Sequence, residues 1–102
     1  MPATVELYQY YYYEPSLGPL YPGQRRTRWY EFNWRDKSAA ATAMPFDAWG
    51  KDRKLTVENL SIRTYGIGDP NAPPIQYVQL DVVNTGADAI AIHWVELAVI
   101  SR

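Results

Sequence analysis

A single histidine and the absence of cysteine limit the reactions that this 102-residue chain could carry out. A hydroxyl nucleophile needs a base beside it, and no serine lies near His93 in the sequence. We expect His93 to lie at a surface or an interface, opposite Gln79. Eleven acidic residues guarantee some carboxylate pair at the ~5 to 9 Å used in glycoside hydrolysis, so such a pair does not by itself predict a glycosidase. The sequence therefore predicts a protein that is not an enzyme.

Oxygen ligands for calcium could come from two loops. Asp69 and Asn71 lie in one loop, and Asp47 and Asp52 flank Trp49 in the other. Neither loop follows the spacing of a calcium-binding loop, and an aspartate before a proline is typical of turns. We expect neither a metal site nor a cofactor.

Arginines are interleaved with aromatic residues in the segment from Arg25 to Tyr30. This pattern could bind the phosphates and bases of a single nucleic-acid strand. However, the chain has 10 basic and 11 acidic residues and a net charge of -1, whereas proteins that bind polyanions usually have a basic excess. We therefore do not expect a nucleic-acid partner. Arg26 and Arg28 are expected to make charge-assisted contacts with acidic groups of a protein partner.

Tyrosines at alternate positions could form a binding surface on the first strand, Thr4–Tyr13. Tyr8, Tyr10 and Tyr12 would share one face at steps of about 6.6 Å. Exposed rings match the apolar faces of sugars, and Trp49 and Tyr65 could join them, which makes carbohydrate the alternative ligand. The opposite face of the strand is also apolar, with Val5, Leu7, Tyr11 and Tyr13.

A strand with aromatic side chains on both faces poses a problem for a two-layer domain, because one face of each sheet normally meets water. The spare face could be covered by the proline-rich and glycine-rich segment 14–23 or by a second molecule. Tyrosine is enriched at interfaces, and large apolar patches are rare on monomers. We therefore predict a non-catalytic structural or binding subunit that forms a homo-oligomer, or binds another protein, through its aromatic surface. A virus particle would be one such assembly.

The remaining elements follow from nine tyrosines, four tryptophans, eight prolines and several runs of valine and isoleucine, which favour strands and turns. Tyr30, Phe32 and Trp34 are assigned to the core, and a change of parity predicts a bulge near Glu58 and Asn59. Ser38–Met44 is either one helical turn at most or a strand of small residues. The other predicted strands are Arg28–Trp34, Leu55–Gly66, Ile75–Asn84 and Ala89–Ile100.

The last two strands are predicted to form a hairpin with Gly86 or a neighbour in the left-handed conformation. A helix that begins at Asp88 is the rival prediction, but β-branched residues are too dense there to favour it. A second bulge at Trp94 and Val95, or burial on both faces, would explain the parity change in the last strand. The expected cross-strand pairs are Val82 with Ile90, Leu80 with Ile92 and Val78 with Trp94.

Together these segments predict one domain, residues 1–102, folded as an antiparallel β-sandwich of jelly-roll or immunoglobulin-like type. The longest apolar stretch, Ala87 to Ile100, is interrupted by polar residues and is shorter than the ~20 residues of a membrane-spanning helix, so we expect no membrane association. The first residues lack a basic segment followed by an apolar run, and the cytoplasm is therefore the default compartment.

Overall fold

A computed structural model describes residues 3–13, 19–32, 34, 36–46, 52–66 and 68–101. The strands form two antiparallel three-stranded sheets, in the orders β1-β6-β3 and β2-β5-β4. This part of the chain is all-β, as the composition predicts, and contains no helix long and apolar enough to cross a membrane. The strands are β1 (Thr4–Tyr13), β2 (Arg25–Glu31), β3 (Lys37–Pro45), β4 (Leu55–Tyr65), β5 (Ile75–Asn84) and β6 (Ile92–Ser101).

β6 is the central strand of the first sheet and pairs without interruption with both neighbours. Its inward side chains, His93, Val95, Leu97 and Val99, are buried, whereas the residues between them are half-buried. Because the strand keeps one register, the bulge predicted at Trp94 and Val95 is wrong. The sequence changes parity because the outward face of this sheet is apolar as well.

The second sheet contains the other predicted bulge. The pairing of β4 with β5 shifts between Glu58 and Ser61. Asn59 has a left-handed φ of 55° at this point, a conformation that asparagine adopts more readily than most residues. Its side-chain amide donates a hydrogen bond of 2.9 Å to Asp81 on β5. The bulge is therefore held in place by a cross-strand contact.

One hydrophobic core lies between the two sheets. Tyr30 and Trp34 are buried in it, as predicted, and Phe32 packs against it half-buried. The indole nitrogen of Trp34 donates to the backbone oxygen of Tyr30 at 3.3 Å, which satisfies the polar atom of this buried ring. The other buried members are Leu20, Val78, Leu80, Val82, Val95, Leu97 and Val99.

The predicted hairpin between the last two strands is wrong, because β5 and β6 belong to opposite sheets. The chain leaves β5 at Asn84, whose buried side-chain amide donates to the backbone oxygens of Leu20 and Asp88 at 2.8 Å each. Ile90 forms a bridge with Leu20 instead of the predicted pair with Val82. The valines and leucine of β5 consequently meet those of β6 across the core rather than along a ladder.

Gly86 is required for a reason other than the predicted left-handed turn. A Cβ at this position would lie 2.7 Å from the backbone oxygen of Asp52 and 2.7 Å from the backbone nitrogen of Lys54. The crossing segment thus packs against residues 52–54, and its closest approach leaves no room for a side chain.

One strand differs in its bounds from the prediction, and the small-residue segment adopts the second of its two predicted forms. β2 begins at Arg25 rather than Arg28 and ends at Glu31, before Trp34. The small-residue segment is a strand, β3, and pairs along its length with β6. Its alanines reach the core from an edge of the first sheet, where the neighbouring strand supplies the larger side chains.

Candidate functional site

The three tyrosines expected to form a binding surface turn towards the interior. Tyr8, Tyr10 and Tyr12 are half-buried and pack against the core. The ring centroid of Tyr10 lies 4.3 Å from that of Tyr30 in a stacked arrangement, and the ring of Tyr8 lies 5.3 Å from that of Phe32. These rings therefore connect β1 of the first sheet to β2 and the residue after it in the second.

Tyr12 is the centre of a polar cluster within this aromatic layer. Its hydroxyl shares a hydrogen bond of 2.6 Å with that of Tyr30. The guanidinium carbon of Arg28 lies 3.8 Å from the centroid of its ring, which is a cation–π contact, and the ring of His93 stacks on it at 5.1 Å. Burial and the hydrogen bond shared with Tyr12 raise the pKa of Tyr30 well above its ordinary value. Through this cluster the side chains of Tyr12 and Tyr30 link the two sheets.

His93 is only 2% exposed, so its predicted position at a surface is wrong. It pairs with Tyr12 on β1 and Pro45 on β3, not with Gln79. The reason is the sheet to which β6 belongs: in the first sheet, the parity that contains His93 is the inward one. Among the described residues no three His, Asp or Glu side chains are grouped so as to hold a metal ion.

The remaining predicted site residues are not gathered with the tyrosines in one surface. Arg26 is half-buried and pairs with Val82, a core residue, so its Cβ lies on the inward side of β2. Tyr65 is exposed at the end of β4, in the other sheet from Tyr8, Tyr10 and Tyr12. Trp49 lies outside the described residues.

The opposite face of β1 carries the exposed apolar side chains. Leu7 is 64% exposed and Tyr11 is 50% exposed, and Val5 and Tyr13 are exposed to similar extents. The surplus of apolar surface inferred from the sequence is therefore present, but on the odd-numbered residues of the strand rather than the even-numbered ones. Exposed apolar side chains in this number are uncommon on one strand of a monomer.

The neighbouring strands continue this surface across the whole sheet. Tyr11, Trp94 and Phe46 form an aromatic group, with ring centroids 4.9 Å apart for Tyr11 and Trp94 and 6.1 Å apart for Tyr11 and Phe46. We call the outward side of the first sheet the apolar face. Its apolar members are Val5, Leu7, Tyr11 and Tyr13 of β1, Ile92, Trp94, Ala98 and Ile100 of β6, Ala40 and Met44 of β3, and Phe46 after it.

A single polar row crosses the middle of the apolar face. Gln9, Glu96 and Thr42 are aligned on the three strands, and the amide of Gln9 donates to the carboxylate of Glu96 at 3.1 Å. Beside this row lies a shallow depression of about 140 Å³, where the side chains are small. It is lined by Ala40, Ala41, Thr42, Glu96 and Ala98. The face is thus raised along β1 and lowered around Ala40 and Thr42 of β3.

The outward side of the second sheet has a different chemistry, and we call it the polar face. Asp81, in its middle, accepts hydrogen bonds from Thr27 at 2.7 Å and Asn59 at 2.9 Å and pairs with Arg25 at 3.1 Å. Arg25 also lies 3.9 Å from Glu58. The bonds from Asn59 and Thr27, with Arg25, lower the pKa of Asp81. The two outer surfaces of the molecule are therefore apolar on one side and hydrogen-bonded and charged on the other.

No family model, curated protein or solved structure matches this chain. A proposal on function therefore rests on the geometry of the two faces.

Proposed function

We propose that the protein is a non-catalytic subunit that forms a homodimer through its apolar face, with the β1-β6-β3 sheets of two copies packed against each other. The observation that carries the proposal is that apolar side chains occupy most of the outward side of this sheet, from Val5 at one end to Phe46 at the other, with one polar row between them. Sheets pack face to face in this way, at about 10 Å separation, when both inner surfaces are apolar.

The size of the face suits a second copy of the chain. Three strands at ~4.8 Å and ten residues at ~3.3 Å give a flat footprint of roughly 480 Å². The accessible surface of the projecting side chains exceeds this footprint, and a standard interface buries about 800 Å² of accessible surface per partner. The aromatic residues and methionine of the face suit an interface, because these residue types are enriched there. Glu96, in the middle of the face, opposes dimer formation, because charged residues are depleted at interface centres.

The relief of the face supports self-complementarity. Large side chains such as Leu7 and Tyr11 project along β1, whereas Ala40 and Thr42 line the depression along β3. A two-fold axis parallel to the strands, in the plane of the interface, places β1 of one copy over β3 of the other. Leu7 on β1 of each copy would then lie over the depression beside Ala40 on β3 of its partner.

The inward tyrosines have a supporting role in this proposal. Tyr8, Tyr10 and Tyr12 hold β1 against the second sheet, although β1 is an edge strand that pairs with β6 alone among the described strands. An interface built on Leu7 and Tyr11 needs this support, because a loosely held edge strand would have to be ordered on binding.

We also propose that the two sheets form a jelly-roll-like sandwich. β1 pairs with β6 and β2 with β5, and β1, β2 and β3 lie in alternate sheets. This alternation differs from immunoglobulin-like domains, in which the first two strands share a sheet. A jelly roll has two sheets and eight strands, so the six strands here would make a reduced form of it.

Sedimentation velocity at protein concentrations from about 1 to 300 μM tests the dimer, this range covering the micromolar affinities of weak interfaces. We expect the wild type to shift from monomer to dimer with concentration. Leu7→Lys should shift this transition at least tenfold upwards, because it buries a charge at the interface. Ser61→Lys, an exposed position on the polar face, is the matched control and should leave the transition unchanged. A wild type that remains monomeric, or equal behaviour of the two variants, would refute the proposal.

A further inference from the structure

We propose that the polar face binds a neutral oligosaccharide, with Trp29 as the ring on which a sugar stacks. This inference concerns the sheet opposite to the proposed dimer interface and does not depend on dimer formation.

Trp29 is the most prominent feature of the polar face. It is 60% exposed, although its neighbours on β2 and β5 are polar. Its indole nitrogen donates a hydrogen bond of 3.3 Å to the side-chain oxygen of Gln79, the residue paired with it on β5. This bond restrains the ring across the neighbouring strand, so a ligand that stacks on it does not have to order the ring first.

Two more rings continue from Trp29 across the sheet. Tyr77 lies on β5 two residues before Gln79, and Tyr65 lies on β4 opposite Ile75. The ring centroids of Tyr65 and Tyr77 are 6.0 Å apart. Each step from Trp29 to Tyr77 to Tyr65 is one strand across and two residues along, which is about 8 Å. The backbone positions of the three residues therefore follow a diagonal of about 16 Å, which is an extended track rather than a closed pocket.

Polar groups of both hydrogen-bonding types flank this track. Glu31 and Arg63 pair with Tyr77 from the two sides, one on β2 and the other on β4. The carboxylate can accept hydrogen bonds from sugar hydroxyls and the guanidinium can donate to them. The guanidinium carbon of Arg63 lies 5.9 Å from the centroid of the Tyr77 ring, so the cation lies beside the aromatic track. Apolar rings with a few polar groups between them are the pattern that binds carbohydrate.

The charge of the polar face favours a neutral ligand over a nucleic acid, which stacked rings could also accept. The described outward residues of β2, β5 and β4 include two arginines, Arg25 and Arg63, and three carboxylates, Glu31, Glu58 and Asp81. Arg25 is already engaged by Asp81 and Glu58. A surface with this balance repels a phosphate backbone, whereas uncharged hydroxyls carry no such penalty.

Isothermal titration calorimetry with cellohexaose, xylohexaose, mannohexaose and chitohexaose tests the inference. We expect at least one of these to bind the wild type. Trp29→Ala should weaken that binding tenfold or more, and Trp29→Tyr should restore part of it. Tyr21→Ala, an exposed ring that precedes β2 and lies outside the strands of both faces, is the matched control and should bind as the wild type does. Circular dichroism of each variant checks that the fold is kept.

Either of two results with the oligosaccharides would overturn the inference. One is the absence of binding to all four oligosaccharides at millimolar concentration, and the other is binding that Trp29→Ala leaves unchanged. A single-stranded oligothymidine that binds more tightly than every sugar, and weakens steeply with salt, would also overturn it in favour of a nucleic-acid ligand.

Discussion

The hydroxyl oxygens of Tyr12 and Tyr30 lie 2.6 Å apart and join an edge strand of one sheet to an edge strand of the other. Both rings take part in further contacts, Tyr12 with Arg28 and Tyr30 with Tyr10. The hydrogen bond thus closes the side of the molecule where β1 faces β2.

Tyr12→Phe should lower the free energy of unfolding by about 1–2 kcal/mol, because the buried hydroxyl of Tyr30 would lose its partner. Urea denaturation measures the change. Tyr13→Phe, at an exposed position on the same strand, is the control and should change stability by less than about 0.5 kcal/mol. Equal effects of the two substitutions would contradict the role given to the hydrogen bond.

Deprotonation of Tyr30 should lower the stability of the folded protein in alkaline solution. Its pKa in the folded protein is above the ordinary value because of burial and the hydrogen bond shared with Tyr12. The unfolded chain therefore releases this proton first, so the stabilisation is complete below about pH 10 and is lost as the pH rises further. Urea titrations at pH 8, 10 and 11 measure this loss, and Tyr30→Phe should show a smaller one. A Tyr30→Phe variant with the same alkaline loss as the wild type would disprove the assignment.

Protonation of Asp81 should lower the stability of the folded protein in acid, whereas the effect of Tyr30 appears in alkaline solution. Hydrogen bonds from Asn59 and Thr27 and the nearby Arg25 lower its pKa in the folded protein. The stabilisation is therefore present above the ordinary aspartate value of about 3.9 and is lost as the pH falls towards the folded value. Asp81→Asn should reduce the stability difference between pH 6 and pH 3, measured by urea denaturation. Glu31→Gln, an exposed carboxylate on β2, serves for comparison and should leave that difference unchanged.

Glu96→Gln should strengthen the proposed self-association severalfold. Glu96 is the charged residue among the described outward residues of β1, β6 and β3, and a dimer must remove its carboxylate from water. Glutamine keeps the shape and the contact with Gln9 without the charge. Sedimentation velocity measures the dissociation constant, with Glu31→Gln on the other sheet as the control. A weaker dimer in Glu96→Gln would show that the carboxylate makes a favourable contact across the interface.

Gly86→Ala should destabilise the fold by about 1–3 kcal/mol, because the added Cβ would meet the backbone of Asp52 and Lys54 at 2.7 Å. Gly66→Ala provides a comparison, since a Cβ there has nothing within 4 Å and its φ is not left-handed. Thermal unfolding of both variants measures the difference. If Gly66→Ala were the more harmful change, the packing of residues 84–88 against residues 52–54 would be incorrect.

The alternation of β1 could be predicted from the sequence, but the inward face could not. Both parities are aromatic, so the pattern itself does not distinguish Tyr12 from Tyr11. The difference comes from the partners that the fold supplies. Tyr12 meets Tyr30 and Arg28 across the core, whereas Tyr11 meets Trp94 within its own sheet. The sequence did contain one indication of the inward face of β6. His93, Val95, Leu97 and Val99 lie at alternate positions, so a strand without a bulge places all four on the same face.

The bulge at Asn59 was predictable because it depends on local alternation and on a residue type that tolerates a positive φ. The path from β5 to β6 was not. A segment with turn residues such as Asn84 and Gly86 suits a hairpin and a crossing between sheets equally well. The choice depends on contacts with Leu20 and with residues 52–54, which are distant in sequence.

The two faces of the molecule lie on opposite sides of a thin body whose smallest extent is 19 Å. If the apolar faces pair, the two copies of Trp29 point in opposite directions, away from each other. Such a dimer could not hold one glycan chain at two points. It would connect two separate polysaccharide chains, so adding the protein to a dilute polysaccharide would raise the viscosity of the solution. The Leu7→Lys monomer would bind the same polymer without raising the viscosity.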